Sequence, residues 1–124
     1  MTDMTNAALN RAIAELHRSH IKWRSDHKTD AAYVNYQGTN TVCTMVNYTN
    51  NWSDLMPLII EHDISLLHGA GTKEWRASTQ SRWRVTEEES WHVLYSTNKS
   101  PQIALATCLL EVLRAKNKEQ DDAS

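Results

Sequence analysis

The chain has 124 residues and 40% hydrophobic content, which is enough for the core of one domain. Its 13 basic and 15 acidic side chains leave a net charge of -2, which argues against bulk attraction to duplex nucleic acid or to an anionic membrane. No apolar run approaches the ~20 residues of a membrane span, and the N-terminus lacks the apolar segment of a signal peptide, so we expect a protein that stays in the cytoplasm.

The spacing of apolar residues predicts a first helix over residues 5–18, with Thr5 as its N-cap. A short strand or turn is expected near Ile21–Trp23. Residues 33–48 predict two strands around a turn at 37–40, where glycine and asparagine can adopt positive φ. Both faces of the second strand are partly apolar, which favours an interior position in a sheet.

A second helix is predicted from Asp54 to about His62. With Asp54 as N-cap, Pro57 would lie in the first turn, where its missing N–H has no intrahelical partner. A short strand is expected at Ile64–Leu67. The sequence GAGTK at 69–73 then predicts a hairpin loop, because its glycines permit a tight reversal.

Residues 74–85 are interpreted as one long strand or two short ones, and Trp91–Ser96 as the next strand. The last helix is expected to begin with Ser100 as N-cap and Pro101 in the first position, and to end near Lys116. Its apolar residues occupy several sides, which is typical of a helix packed against a sheet or at a subunit interface.

The element order of helix, strands, helix, strands and helix predicts an α+β fold, an antiparallel or mixed sheet flanked by about three helices. We expect one domain over 1–117 and a polar C-terminal tail over 118–124. The two cysteines, Cys43 and Cys108, lie in apolar segments, so we expect buried thiols and no disulfide in a reducing cytosol.

The densest positive feature is the sequence KEWRASTQSRWR at 73–84, which interleaves Arg76, Arg82 and Arg84 with tryptophans. This mixture suits phosphate contacts and base stacking. Strand alternation places these arginines on one face and the tryptophans on the other. Two interpretations therefore stay open: an anion-binding face, or a solvated face that the acids at 87–89 neutralise while the tryptophans lie in the core.

The start of the last helix is a second candidate site. Asn98, Lys99 and Ser100 precede backbone N–H groups that have no intrahelical partner, and such groups can receive a phosphate. The alternative interpretation is an ordinary helix cap, since every helix has such an end.

Motifs for metal binding and catalysis are weak or absent. His17 and His20 have the spacing HxxH, but the sequence contains neither HExxH nor CxxC. GxSxG, the Walker A motif and GxGxxG are absent as well. We therefore predict no metal, no cofactor and no catalytic residues. An enzyme that cleaves nucleotides would need an acid–base pair near the arginines, and His92 is the nearby candidate.

The stretch NNWSDLMPLIIEHDISL, the strand tryptophan that follows it and the helix SPQIALATCLLEVLRAK resemble small phage proteins of the NinX-like and phage ABA-sandwich type. In these proteins a polar Asn/Trp/Asp stretch precedes a helix with a Pro-containing apolar core. A short strand, one or more Trp-bearing strands and a Pro-started helix rich in Ala and Leu follow. The resemblance covers about residues 47–116, and residues 1–46 match only in outline.

One branch of that family comprises the Thoeris anti-defence sponge proteins, which sequester cyclic ADP-ribose or cyclic oligonucleotide immune signals without cleaving them. The resemblance implies a non-enzymatic phage protein of the host cytoplasm, assembled as a homo-oligomer with ligand pockets at subunit interfaces. Such a pocket needs cationic side chains to bind the pyrophosphate and an aromatic side chain to stack with the adenine. By composition, the candidate ligand-binding residues are Arg76, Arg82, Arg84, Trp75, Trp91, Arg114, Asn98 and Ser100. The alternative is a protein-binding inhibitor of a bacterial defence complex, similar in role to an anti-CRISPR protein.

Overall fold

The computed structural model describes residues 5–18, 22–26, 28–35, 42–69, 71, 73–84 and 91–123, with the backbone alone at 35, 42–44, 80–84, 91–93 and 118–123. The elements are α1 (Asn6–His17), β1 (Arg24–Ser25), β2 (Ala32–Asn35), β3 (Val42–Val46), α2 (Trp52–Glu61), β4 (Ile64–His68), β5 (Trp75–Arg84), β6 (Trp91–Asn98) and α3 (Pro101–Ala123). The strands form two three-stranded antiparallel sheets, sheet A in the order β1-β2-β3 and sheet B in the order β4-β5-β6. The predicted α+β fold is confirmed, with the strands divided between two sheets.

Helix α3 lies at the centre of the packing. It contacts the three strands of sheet B and also α1 and α2. Between Gln102 and Ala115 it is buried on several sides, as expected of a helix covered by a sheet and by other helices. The Cys108 thiol lies 3.7 Å from the Leu94 carbonyl oxygen, so α3 runs back alongside β6 after the tight connection between them.

A buried polar residue joins α1 to the loops around sheet A. The Asn10 side chain is fully buried, and its amide nitrogen lies 2.8 Å from the Asp30 carbonyl, 3.0 Å from Asn47 Oδ1 and 3.0 Å from Thr49 Oγ1. Its oxygen accepts a hydrogen bond from the Thr49 backbone N–H at 3.0 Å. Asn10 therefore connects α1 to Asp30 and to the segment 47–49. These bonds satisfy its polar atoms, as is usual for a buried polar side chain.

Helix α2 begins earlier than the sequence predicts. Its N-cap is Asn51, whose side chain accepts a hydrogen bond from the Ser53 N–H at 3.0 Å. Asp54 is therefore not the cap; it instead accepts a hydrogen bond from the Asn47 backbone N–H at 2.9 Å. Pro57 consequently lies inside the helix, where it has no N–H to donate to the Ser53 carbonyl four residues earlier.

The prediction of an interior position for β3 is wrong. In sheet A the middle strand is β2, and β3 is an edge strand of this sheet, with Met45 49% exposed. The composition of β3 does not encode which strands pair, and among the described residues β2 pairs with both β1 and β3. The strand expected near Ile21–Trp23 lies slightly later, at Arg24–Ser25, while Trp23 itself is buried. The predicted turn at 37–40 lies outside the described residues.

The predicted hairpin between β4 and β5 is confirmed. In its loop the Gly69 N–H donates to the Glu74 carbonyl at 2.8 Å, and the Lys73 N–H donates to the Gly69 carbonyl at 3.0 Å. Lys73 adopts the left-handed conformation, with φ of 58°. The hairpin loop thus has positive φ at Lys73, whereas the sequence analysis attributed the tight turn to the glycines of GAGTK.

Helix α3 begins as predicted and continues past its predicted end. The Ser100 hydroxyl accepts a hydrogen bond from the Ile103 N–H at 3.3 Å, which is the geometry of an N-cap. The helix continues past Lys116 to Ala123, because the tail contains helix-favouring Lys, Glu, Gln and Ala and neither Gly nor Pro to stop it. None of the helices in the described ranges combines the length and apolarity needed to cross a bilayer.

Candidate functional site

Sheet B has one face against α3 and one outer face. Along β5, Ala77 and Thr79 are buried at 0% and 4% exposure, whereas Arg76 is exposed and Ser78 is half-buried. The alternation predicted for this strand is therefore confirmed over 75–79. Arg76 stands on the outer face of the middle strand of the sheet.

The outer face carries a cation in contact with an aromatic ring. The guanidinium carbon of Arg76 lies 4.4 Å from the centroid of the Tyr95 ring, within the range of a cation–π contact. Arg76 pairs in register with Leu67 on one side and Thr97 on the other. Tyr95 is 58% exposed and Leu67 66% exposed. We call these four residues the Arg76–Tyr95 platform.

The guanidinium edges of Arg76 are available to a ligand. Arg76 forms no ion pair with any side chain that the structure describes. Sequence analysis identified Arg76 but not its partner Tyr95. The alternation of Tyr95 and Thr97 along β6 could have indicated a shared outer face. The register pairs Arg76 with Thr97, so only the side-chain packing shows that the guanidinium contacts the Tyr95 ring.

Three of the predicted residues meet at one end of sheet B. Trp75 is half-buried against the core, pairs in register with Asn98, and lies 4.7 Å from the His68 ring between centroids. The Asn98 side chain accepts a hydrogen bond from the Ser100 N–H at 2.9 Å. This bond and the Ser100 cap form an ordinary helix start, so the side chains of Asn98 and Ser100 already make hydrogen bonds that stabilise the fold.

The other predicted residues lie toward the opposite end. Register pairs Arg82 with Val93 and Arg84 with Trp91, at positions where the structure describes the backbone alone. The in-register partners of Trp75 and Arg84, which are Asn98 and Trp91, lie seven residue steps apart on β6, which is roughly 23 Å at about 3.3 Å per residue, so Arg84 is far from Trp75. The predicted set therefore does not form one compact site within a subunit.

Arg114 lies toward the same end as Trp91. It follows Cys108 on α3, and the contact between Cys108 and Leu94 shows that this part of the helix runs toward the beginning of β6. The Arg114 side chain is 53% exposed and lies 3.7 Å from the Glu111 carboxylate, a pair that costs little to separate.

A small cleft between the C-terminal ends of α1 and α2 and the side of α3 was not anticipated from the sequence. Its volume is about 150 Å³, and it is lined by Leu16, His17, Glu61, His62, Leu113, Lys116 and Asn117. Burial lowers the pKa of His62, and the neighbouring Lys116 lowers it further. The carbonyls of two helix ends disfavour an anion here, and Lys116 disfavours a cation. The cleft is also smaller than the roughly 300 Å³ at which ligand pockets begin.

Groups suited to metal binding or nucleophilic catalysis are not assembled in the described part of the chain. No three His, Cys, Asp or Glu residues there are placed to hold a metal ion, and His20 lies outside the described residues. Burial raises the pKa of the Cys108 thiol to about 12, so this thiol stays protonated. The side chain of His92 is likewise not described.

Compared with known protein families and with curated proteins, the sequence matches no family model and no curated sequence. The function must therefore be inferred from the residues and their geometry.

Proposed function

We propose that this chain is a phage anti-defence protein that binds and sequesters a cyclic nucleotide or cyclic ADP-ribose immune signal in the host cytoplasm without cleaving it. The observation that carries the proposal is the Arg76–Tyr95 contact at 4.4 Å on an exposed sheet face. A planar cation beside an aromatic ring offers what a nucleotide needs, since Arg pairs with phosphate oxygens and aromatic rings stack with bases.

The distribution of charge supports nucleotide binding on the outer face of sheet B. The chain has a net charge of -2, yet β5 carries Arg76, Arg82 and Arg84 in one strand. A cationic strand in a slightly acidic protein favours a small anionic ligand over duplex nucleic acid, whose binding depends on many basic contacts.

The dimensions support a site shared between subunits. The cleft of about 150 Å³ beside His62 is too small for a cyclic dinucleotide, given that ligand pockets measure roughly 300–1,000 Å³. The cationic residues Arg84 and Arg114 lie toward the far end of sheet B from Trp75. In a homo-oligomer, the platform of one subunit would be completed by this end of another.

Calorimetry tests the proposal directly. Cyclic ADP-ribose isomers and cyclic di- and trinucleotides are titrated into the purified protein, and at least one is expected to bind. Arg76→Ala should weaken that binding, whereas Arg24→Ala, which removes an exposed arginine from sheet A, should leave it unchanged. Heat from none of these signals would refute the proposal. Recovery of a cleaved signal after denaturation would show an enzyme instead of a sponge.

A protein-binding inhibitor of a defence complex is the second candidate. Two large apolar side chains on α2 favour it: Trp52 is 44% exposed and Ile60 is 70% exposed, about 80° apart around the helix axis. Under this alternative, replacing Trp52 and Ile60 by serine should abolish capture of a stoichiometric partner, and the wild type should bind none of the cyclic signals. Arg76→Ala should then have no effect on capture.

A further inference from the structure

We infer that the Arg76–Tyr95 platform recognises the base of a nucleotide together with its phosphate, so that base-free phosphates are poor ligands. This inference rests on the function proposed above and specifies the chemical class that the same site takes. It is carried by the 4.4 Å contact between the Arg76 guanidinium and the Tyr95 ring and by the exposure of both residues.

A guanidinium has two flat faces and a rim of N–H donors. In Arg76 the guanidinium carbon lies over the Tyr95 ring, 4.4 Å from its centroid, and both residues are exposed. A base that stacks on the guanidinium from the solvent side would extend the cation–π contact with Tyr95. The N–H groups lie in the guanidinium plane, so they point sideways, toward a phosphate attached beside the base.

The platform is held in place before any ligand arrives. Arg76 is on the middle strand of sheet B, and the next residue, Ala77, is fully buried on the opposite face. Hydrogen-bonded strands on both sides fix the backbone, so the backbone needs little ordering on binding. Leu67, in register with Arg76, adds exposed apolar surface beside the guanidinium for the flat side of a base or a ribose.

A phosphate without a base would use only the N–H rim. Stacking of one base on an aromatic or guanidinium surface is worth on the order of tenfold or more in affinity. We therefore expect adenosine 5′-diphosphate to bind at least tenfold more tightly than pyrophosphate, although both carry the same two phosphate groups. Ribose 5-phosphate should likewise bind weakly.

The experiment measures the ratio of dissociation constants for pyrophosphate and adenosine diphosphate in the wild type and four variants at low salt. Tyr95→Leu keeps apolar bulk but removes the ring, and Arg76→Lys keeps the charge but removes the plane. Both should bring the ratio close to one. Tyr95→Phe keeps the ring, and Arg24→Lys makes the same change on sheet A, so both should retain the wild-type ratio. All four side-chain changes are at exposed positions, and thermal melting checks that each variant is folded.

A wild-type ratio near one overturns the inference, as does a ratio that Tyr95→Leu and Arg76→Lys leave unchanged. Cyclic signals are titrated in parallel to separate the two proposals. If they bind the wild type and the Tyr95→Leu variant equally well, this inference fails and the proposed function stands. If the diphosphate shows the expected pattern and no cyclic signal binds, the inference stands and the sponge function fails. If no nucleotide binds, both fail.

Discussion

Replacement of Asn10 should destabilise the protein more than any comparable change at its surface. Asn10→Ala removes the acceptor of the Thr49 N–H and the donor to the Asp30 carbonyl, at a residue with 0% exposure. A buried polar group left without a partner costs about 1–3 kcal/mol, and two such groups are created. We therefore expect a loss of about 3 kcal/mol in the free energy of unfolding, or roughly 10 °C in Tm for a chain of this length.

Asn10→Asp distinguishes a loss of hydrogen bonds from a loss of packing volume. Its carboxylate can still accept from the Thr49 N–H but cannot donate, and it brings a negative charge toward the Asp30 carbonyl and Asn47 Oδ1. At pH 7 we expect Asn10→Asp to be less stable than Asn10→Ala, because an unpaired buried charge costs more than an absent side chain.

Urea and thermal unfolding monitored by circular dichroism measure these changes. Asn117→Ala is the matched control, since it alters an exposed asparagine on α3 and should change stability by no more than about 0.5 kcal/mol. A loss below 1 kcal/mol for Asn10→Ala, or an Asn10→Asp variant as stable as the wild type, would refute the role assigned to this buried residue.

Three further outcomes are expected. Pro57→Ala should raise the free energy of unfolding by about 2 kcal/mol, because it restores an interior helix hydrogen bond to the Ser53 carbonyl at the expense of some unfolded-state entropy. Burial holds the pKa of His62 in the folded protein below its ordinary value of 6.5. The contribution of His62 to the free energy of unfolding is therefore present above pH 6.5 and is lost as pH falls through the folded pKa. His62→Gln should flatten this fall in the free energy of unfolding, measured by urea titration at each pH. In a Cys43→Ser background, the Cys108 thiol should resist Ellman's reagent at pH 8 until urea unfolds the protein.

Each of these outcomes has a contrary result. A neutral Pro57→Ala would agree with the first-turn position expected from the sequence and would contradict the observed N-cap at Asn51. Parallel pH profiles for the wild type and His62→Gln would remove His62 from the acid response. Rapid reaction of Cys108 in the native state would contradict its burial.

Much of the fold was predictable because local rules suffice for it. The helix caps at Thr5 and Ser100 were anticipated, since a hydroxyl before an apolar periodic segment satisfies N–H groups regardless of what packs nearby. The exposure of Arg76 also followed from strand alternation, which is a property of the backbone.

Other local features were not predictable because several residues competed for the same role. Asn51 and Asp54 are both good N-caps, and the choice of Asn51 depends on the hydrogen bond that the Asn47 N–H makes to Asp54. The edge position of β3 depends likewise on β1 pairing with β2, a contact that the composition of β3 does not encode.

The sequence by itself determined the class of fold, the elements and the presence of a cationic strand, since these depend on apolar period, capping residues and charge along the chain. The tertiary structure alone decided what lies beside each side chain. Side-chain packing on the outer face brought Arg76 onto Tyr95, whose in-register partner is Ser78, and strand register set Trp75 and Arg84 at opposite ends of sheet B. Packing also brought His17 and His62 into one cleft. Such neighbours are distant along the chain, so their proximity depends on pairing and packing and leaves no local pattern in the sequence.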